Sequence, residues 1–365
     1  MTVRLAIVGC GRISHAHGIA AERIGPDGVR LVACTDIDPE KARDFAATYG
    51  CDAHYGDPAE MYAAGGFDGV VLATWPAQHL EQVSQALDAG IRFILCEKAL
   101  ATSGSDAAEI WRRAEAAGAT VVEGFMYLHH PLIKALEAQL ATGAAGPVDW
   151  VRSTSSFLFP EAAEGTDPAR SWRFRTETGG GVPWDLLCYP VNACGRYVGA
   201  LPLHVSASGT RSAKYGTINR IFGTIAYEGD RFGVVESSAC AMFCQELEIH
   251  GQTRIYRIDT VFTPPGDARI EELHAPKFAH VNHARHNVPS ALPLQDDLPS
   301  YAAYRDQMES FLDVMEKGAA PLPALAASAI NVAVIEALIE SLETGGRVPV
   351  EIPEDLRAAW KAQVA

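Results

Sequence analysis

The first 125 residues alternate short apolar runs with stretches of helical spacing. The apolar runs are VRLAIV (3–8), LVACT (31–35), GVVLAT (69–74), FILCE (93–97) and TVVEG (120–124). The stretches between them run over about 14–23, 39–49, 78–89 and 103–117. Short continuous apolar runs that alternate with helices are typical of buried parallel strands. This part of the chain is therefore predicted to form a parallel sheet that helices cover on both faces.

The pattern changes after Pro147, where longer strand-like segments follow one another with little helix between them. They run over 148–159, 204–213, 222–229, 232–243 and 246–251. Helical spacing returns at about 182–198, 299–317 and 323–343. Consecutive strands joined by turns indicate a large, mainly antiparallel open sheet. The predicted class is α/β, with one domain over residues 1–125 and an α+β domain over residues 126–365.

Charge and composition narrow the classes of partner. Thirty Lys and Arg residues against 45 Asp and Glu residues give a formal net charge of −15. A surface this acidic repels phosphate backbones and anionic lipids, so we expect neither a nucleic-acid nor a membrane partner. No apolar run approaches the roughly 20 residues of a membrane helix, and the N-terminal apolar stretch is too short for a secretory signal. Eight cysteines without a CxxC pair indicate reduced thiols, so we expect a cytoplasmic protein that acts on a small metabolite.

A glycine-rich turn follows the first predicted strand and opens the first predicted helix. It reads Gly9-Cys10-Gly11-Arg12-Ile13-Ser14. Two glycines allow a tight turn and a close approach of the backbone to a pyrophosphate, and the helix N-terminus offers free N–H groups. Ser14 stands where the GxGxxG pattern has its third glycine, so a purely structural turn is the alternative. The order strand, turn, helix, strand and acid favours dinucleotide binding.

Asp36 is the acidic residue at the end of that order, and it directly follows the second predicted strand. A carboxylate at this place accepts hydrogen bonds from the ribose hydroxyls of NAD and repels the 2′-phosphate of NADP. NAD is therefore the expected cofactor, with NADP possible. Arg12 lies close enough in sequence to approach the pyrophosphate or the adenine ribose.

Two further groups of residues carry chemistry. Glu97 and Lys98 end the fifth predicted strand, at the sheet edge where ligands bind. Asp185 and Tyr189 stand four residues apart in a mostly apolar helical segment that follows three glycines, so they share one helix face. Taken singly, Lys98 is equally well explained as a solvated charge and Tyr189 as a tyrosine hydrogen-bonded in the core.

Together these segments resemble the Gfo/Idh/MocA oxidoreductase family over nearly the whole chain. The resemblance rests on AIVGCGRI near the start, Thr74 to His79, Glu97-Lys98, EGFMYLHHP (123–131), Ser171-Trp172-Arg173, and Asp185 with Tyr189. It implies an N-terminal Rossmann domain, and a C-terminal domain whose open sheet pairs subunits into homodimers or homotetramers. A tyrosine at the position of the family's catalytic histidine resembles the branch of glucose–fructose oxidoreductase, dimeric dihydrodiol dehydrogenase and aldose dehydrogenases.

The resemblance also implies a set of site residues. Lys98, Asp185 and Tyr189 correspond to the family's catalytic positions. The residues implied to bind the cofactor are Gly9, Gly11, Arg12, Ile13, Asp36, Thr74, Trp75, His79, Glu97, Lys98, Trp172 and Arg173. No metal is implied. The chain departs from the family pattern at Ala99, Leu187 and Trp75, which replace a proline, a glycine and a smaller residue.

These residues allow a mechanism of hydride transfer between nicotinamide and a carbinol carbon. Free tyrosine is a poor base at neutral pH because its pKa is about 10. A nearby lysine ammonium favours the phenolate, so we assign Tyr189 as acid/base and Lys98 as the cation that tunes it. Asp185 would orient a sugar hydroxyl or Lys98.

The expected function is therefore that of an NAD(P)-dependent oxidoreductase acting on a sugar, a sugar derivative or a cyclic polyol. A sugar–sugar oxidoreductase or keto-sugar reductase with tightly bound NADP is the alternative within enzymes. A non-catalytic dinucleotide-binding redox sensor is the alternative outside them. The histidine-rich stretch over 274–286 suits a polar loop or a subunit contact better than a zinc site.

Overall fold

The computed structural model describes residues 2–159, 171–277, 280–287 and 301–364. The chain forms two compact units. The first comprises Met1–Ala101, Ser105–His130 and Ser300–Ser328, and the second Thr102–Gly104, Pro131–Pro299 and Ala329–Ala365. A division at residue 125 assigns 300–328 to the second domain, whereas the structure groups these residues with the first unit.

The strands and helices are numbered in chain order. The strands are β1 Val3–Val8, β2 Val29–Thr35, β3 Ala53–Tyr55, β4 Gly69–Leu72, β5 Phe93–Glu97, β6 Thr120–Gly124, β7 Val148–Ser156, β8 Pro202–Arg211, β9 Ile218–Tyr227, β10 Arg231–Ser238, β11 Leu247–Gly251, β12 Arg254–Ile258, β13 Arg269–Lys277, β14 His280–Asn287 and β15 Val348–Pro349. The helices are α1 Arg12–Ile24, α2 Pro39–Tyr49, α3 Pro58–Ala64, α4 His79–Asp88, α5 Gly104–Ala117, α6 Pro131–Ala141, α7 Cys188–Val198, α8 Tyr301–Lys317, α9 Leu325–Thr344 and α10 Glu354–Val364.

The first unit contains a six-stranded parallel sheet in the order β3-β2-β1-β4-β5-β6. This is the strand order of the Rossmann fold, so the predicted class of the N-terminal domain is confirmed. Local chemistry fixes the ends of α2, because the Asp38 carboxylate accepts the Glu40 N–H, Pro39 stands in the first turn and Gly50 adopts a left-handed cap with φ 68°. The short β3 and α3 were not predicted.

Helix α8 completes the first unit from a distant part of the sequence. It contacts α1 and the turn over 126–129. The ring of Tyr304 on α8 lies edge-on to the ring of His17 on α1, with 5.2 Å between the centroids. The N-terminal unit thus buries one face of α1 with a helix that begins 277 residues after α1 ends.

The second unit contains a nine-stranded sheet in the order β14-β13-β12-β11-β7-β10-β9-β8-β15. Its neighbouring strands are antiparallel except for β7 and β10, so the predicted mainly antiparallel sheet is confirmed. One face of this sheet receives α9 directly. A side chain on Gly209 or Gly223 would meet Leu342 or Leu338 at 2.6 Å and 2.5 Å respectively, so these two strand glycines make room for the helix.

The other face of the sheet presents apolar side chains to solvent. Phe222 on β9 and Phe232 on β10 are 46% and 49% exposed. The strand register places them on the same face, because Phe222 lies opposite Glu236 and Phe232 opposite Ala226. Trp150 on β7 pairs with Phe232 and stacks on the ring of His250 at 3.6 Å between centroids. One sheet face is therefore covered by helices and the other carries aromatic groups.

Helix α9 corrects the expectation that no apolar run is long enough to cross a membrane. Its 20 residues meet the criteria of length and hydropathy for a membrane span, but 67% of the most apolar window is buried within the protein. Burial of that extent is typical of a core helix.

The histidine-rich stretch forms a β-hairpin rather than a polar loop. His274 lies on β13, opposite Asn282 of β14, and His283 and His286 of β14 face Leu273 and Ile270. The spacing of three between these histidines therefore does not create a shared helix face. His286 Nε2 lies 3.0 Å from Glu272 Oε2, which joins the two strands through their side chains.

Candidate active site

The glycine turn of the first unit has the geometry of a dinucleotide loop. Gly9 has φ +90°, and a Cβ there would lie 2.8 Å from Thr74 Cγ2 and 2.9 Å from the Ala73 carbonyl oxygen. Gly11 is the N-cap residue of α1, and a Cβ there would meet nothing within 4 Å. Gly9 is thus required by the packing of the protein itself, whereas the space beside Gly11 is open.

The N-terminus of α1 is left available to an anion. No side chain caps it and its first turn contains no acidic residue. Arg12 is exposed and Ile13 is half-buried in that turn, while the buried Ser14 hydroxyl donates to the Gly11 carbonyl oxygen at 2.5 Å. Serine at the third position of the glycine pattern therefore stabilises the turn. The uncapped N–H groups and the helix dipole would suit a pyrophosphate.

Asp36 is anchored to this turn. Its Oδ2 accepts the Cys10 N–H at 2.8 Å, and its Oδ1 accepts the Asp38 N–H at 2.9 Å. Each carboxylate oxygen can accept a second hydrogen bond, so the group can hold ribose hydroxyls while it fixes the loop. The turn, the open space at Gly11 and this acid fit a dinucleotide: the loop would hold the pyrophosphate and Asp36 the adenine ribose.

The loops after β4 and β5 hold the other predicted cofactor residues of the first unit. Trp75 is half-buried, and Thr74 Oγ1 donates to Gln82 Oε1 at 2.5 Å. His79 is fully buried, with Nδ1 2.9 Å from the Ala99 carbonyl oxygen and Nε2 3.4 Å from the Thr74 carbonyl oxygen. Burial lowers the pKa of its imidazole below the usual range. His79 thus joins the two loops from inside the protein.

Glu97 and Lys98 occupy different environments. Glu97 is 3% exposed, and its Oε1 lies 2.8 Å from Nε2 of the completely buried His17. Its Oε2 accepts the Lys98 N–H at 3.3 Å, and the Lys98–Ala99 peptide bond is cis. Lys98 itself is half-buried. The structure therefore places the predicted Glu97 in the interior, where it supports the turn that carries Lys98. The partnership with His17 was not predicted.

In the second unit, a glycine loop brings a cation to the predicted acid. The N–H groups of Gly180 and Gly181 donate to the carbonyl oxygens of Arg175 and Arg173, each at 2.9 Å. A Cβ at Gly180 would lie 2.5 Å from the Arg175 carbonyl oxygen, so the loop packs closely on residues 172–175. The triple glycine thus fixes the position of the Trp172–Arg173 segment.

Asp185 forms an ion pair with Arg173. Arg173 Nε lies 2.6 Å from Asp185 Oδ2, and the Asp185 side chain is only 4% exposed. The nearby carboxylate raises the pKa of the Arg173 guanidinium. The guanidinium also lies 5.2 Å from the centroid of the Trp172 ring and 5.4 Å from that of Phe159. A buried carboxylate is costly without a cation, so this pairing explains how the helix tolerates Asp185. Sequence spacing gave no signal for it.

Tyr189 lies in the first turn of α7, directly after a π-helical turn over Pro183–Leu187. The predicted helix over 182–198 is thereby confirmed, and the π-helical turn that contains Asp185 is new. Turns of this kind occur mostly as single insertions and often at functional sites. The Tyr189 ring is 8% exposed and lies 5.0 Å from the ring of Phe262.

A pocket lined by both apolar and polar residues adjoins the ion pair of Arg173 and Asp185. The enclosed volume of this pocket is about 30 Å³. It is lined by Phe159, Arg173, Phe174, Gly181, Val182, Asp185, Ser212, Thr217, Ile218, Asn219, Ala239 and Cys240. The pocket combines aromatic rings with hydroxyl, amide and charged groups, and its enclosed part admits about two water molecules.

Comparison with protein-family models identifies first the class of the protein and then its family. The sequence model of an oxidoreductase family with an NAD-binding Rossmann fold, GFO/IDH/MocA, matches residues 3–125. The model of the GFO/IDH/MocA C-terminal domain matches residues 133–257. The two matches together cover more than half of the chain. The chain belongs to the Gfo/Idh/MocA oxidoreductase family, and the resemblance drawn from its motifs is confirmed.

Two curated relatives align with most of the chain. D-xylose 1-dehydrogenase (NADP(+)) 2 of Haloferax volcanii is 28% identical over 324 residues, which are 87% of this chain and 91% of that protein. The dTDP-3,4-didehydro-2,6-dideoxy-alpha-D-glucose 3-reductase of Actinomadura kijaniata is 26% identical over 302 residues, or 80% and 83% of the two chains.

A solved structure shares the fold. Levoglucosan dehydrogenase in complex with NADH and levoglucosan superposes with a TM-score of 0.83 and 18% identity, over 96% of this chain and 100% of that one.

The contrast between the two loop glycines gives a test of the dinucleotide site. Gly11→Ala adds a methyl group that meets nothing in the protein, so we expect the free energy of unfolding to change by no more than about 1 kcal/mol. The same methyl group enters the space for the pyrophosphate, so the Kd of NADH should rise by about tenfold or more. Fluorescence titration measures the Kd and thermal unfolding measures the stability.

Gly9→Ala is the matched control. Its strained φ and its contacts with Thr74 and Ala73 should destabilise the protein by about 1–3 kcal/mol. Unchanged NADH affinity in Gly11→Ala would contradict the assignment of this loop.

Proposed function

We propose that the protein is an NAD(P)-dependent oxidoreductase that oxidises or reduces a CH–OH carbon of a sugar, a sugar derivative or a cyclic polyol. The observation that carries the proposal is the combination of a dinucleotide loop in the first unit with a buried acid and phenol on one helix of the second. A protein that only sensed the dinucleotide would have no use for Asp185 and Tyr189 as well as Lys98. The relatives named for D-xylose and for a keto-sugar support a carbohydrate substrate.

Three residues share the proton chemistry in this proposal. When bound, the nicotinamide exchanges a hydride with the carbon of the substrate. Tyr189 takes the hydroxyl proton during oxidation and returns it during reduction. Lys98 donates a hydrogen bond to the reacting oxygen. Asp185, held by Arg173, accepts a hydrogen bond from a neighbouring substrate hydroxyl. Trp75 and Trp172 remain proposed cofactor contacts.

Reduction of a keto-sugar is the second candidate. It is favoured by the alignment of most of the chain with a dTDP-keto-sugar 3-reductase. The same three residues serve both directions, because the proton moves along the same path in reverse. Assays in both directions distinguish the candidates.

Replacement of Tyr189 tests the proposed acid/base. Tyr189→Phe removes the hydroxyl group and keeps the ring that lies against Phe262, so kcat should fall by about 10²–10⁴ while the Kd of NADH changes by less than about twofold. Tyr197→Phe is the matched control, because Tyr197 is equally buried on the same helix. Turnover is followed by NADH absorbance on a panel of aldoses, anhydrosugars and inositols. A normal rate in Tyr189→Phe would exclude the role.

Asp36 is proposed to select NAD over NADP. Asp36→Asn keeps an oxygen that can accept the Cys10 N–H and removes the charge that repels a 2′-phosphate. The ratio of kcat/KM for NADP to that for NAD should rise by about tenfold or more. Asp38→Asn controls for a change of charge two residues away. If the ratio in Asp36→Asn stays at the wild-type value, another group sets the preference.

We also propose a cytoplasmic homodimer or homotetramer that assembles through the aromatic face of the large sheet. The exposed Phe222 and Phe232 on neighbouring strands support this, because contiguous exposed aromatic groups are typical of interfaces. Phe222→Glu and Phe232→Glu should each shift the sedimentation coefficient towards that of the monomer. Met242→Glu, at a residue that is 84% exposed, is the control. A wild-type monomer at micromolar concentration would refute the proposal.

A further inference from the structure

The turn after β5 is held by three buried side chains from three different elements. Glu97 Oε2 accepts the N–H of Lys98 at 3.3 Å, and His79 Nδ1 lies 2.9 Å from the Ala99 carbonyl oxygen. Glu123 Oε1 accepts the N–H of Leu100 at 2.8 Å. None of the three side chains is more than 3% exposed. The backbone that carries Lys98 is therefore fixed from within the first unit.

Glu123 stands out among the three. It lies near the end of β6, where the register sets it beside Cys96 of β5, and it is 1% exposed. Burial and, to a smaller extent, the neighbouring Glu97 raise the pKa of the Glu123 carboxyl group to about 7. Binding an N–H group needs only an oxygen acceptor, which an uncharged glutamine would supply at a lower desolvation cost.

The charges around Glu123 show what a carboxyl group adds. The Ser328 hydroxyl and the Leu100 N–H lower the pKa of Glu123, and the positive charge of Lys98 lowers it by a smaller amount. Coupling between two charges is reciprocal, so an ionised Glu123 favours the ammonium form of Lys98. Glu97 is the other carboxyl group nearby, and one of its oxygens faces His17. Glu123 thus combines a contact to the turn with an electrostatic coupling to Lys98.

We propose that Glu123 is a positioning residue for Lys98, which fixes the turn over residues 98–100 through the Leu100 N–H and stabilises the Lys98 ammonium group by its negative charge. The importance of this arrangement for turnover rests on the proposed role of Lys98. The contact and the charge are separable, because glutamine retains the first and removes the second, whereas alanine removes both.

Amide hydrogen exchange tests the contact. In Glu123→Ala the Leu100 amide should exchange at least about tenfold faster, and in Glu123→Gln it should stay within about threefold of the wild type. The kcat of Glu123→Ala should fall by about tenfold while the Kd of NADH is unchanged, since the dinucleotide loop is untouched. Glu115→Gln, at an exposed residue of α5, is the control.

Titration of Lys98 tests the charge. The chain has seven lysines, so ¹³C-methylated lysines can be assigned with Lys98→Arg as reference. Glu123→Gln should shift the titration of Lys98 to lower pH, whereas Glu115→Gln leaves it unchanged.

Each outcome has a defined meaning. Wild-type exchange at Leu100 in Glu123→Ala, or an unshifted Lys98 titration in Glu123→Gln, overturns the proposal. If both measurements behave as expected and Lys98→Met retains full turnover, the positioning by Glu123 stands and the catalytic role of Lys98 fails. The two proposals can therefore fail independently.

Discussion

The carboxyl edge of the parallel sheet imposes the constraint on which the first unit depends. Backbone N–H groups in the loops at a buried sheet edge cannot donate hydrogen bonds to water. They need acceptors within the protein. Three carboxylates at the ends of β2, β5 and β6 supply them: Asp36 binds the N–H of Cys10, Glu97 that of Lys98 and Glu123 that of Leu100. The same edge is where a dinucleotide binds, so the acids that hold the loops also determine the charge around the ligand.

The sequence predicts most of the fold because its periodicity is strong where burial is complete. The runs 93–97 and 120–124 are mostly apolar and become strands with the same bounds. Strands β13 and β14 were not predicted, because apolar and polar residues alternate only weakly in these polar, histidine-rich segments. Helix α6 was likewise not predicted, since it follows directly after a short 3₁₀ turn.

The sequence predicted which residues form the candidate site, but it predicted fewer of the contacts between them. The positions of Gly9, Gly11 and Asp36 follow from local order along the chain. The pairing of Arg173 with Asp185 does not, because it depends on how the triple glycine folds back on residues 172–175. The family resemblance implied His79 as a cofactor residue, and in the structure its ring nitrogens face backbone carbonyl oxygens inside the first unit.

The return of helix α8 to α1 has a consequence for biosynthesis. The first unit combines residues up to 130 with residues 300–328, so the ribosome must add about 170 residues before the nucleotide-binding module can close. Until then the apolar face of α1 and the turn over 126–129 lack their cover. A fragment truncated at residue 130 would expose this surface, and chaperones recognise such surfaces on nascent chains. The nucleotide-binding unit thus matures late, after the intervening sheet has been synthesised.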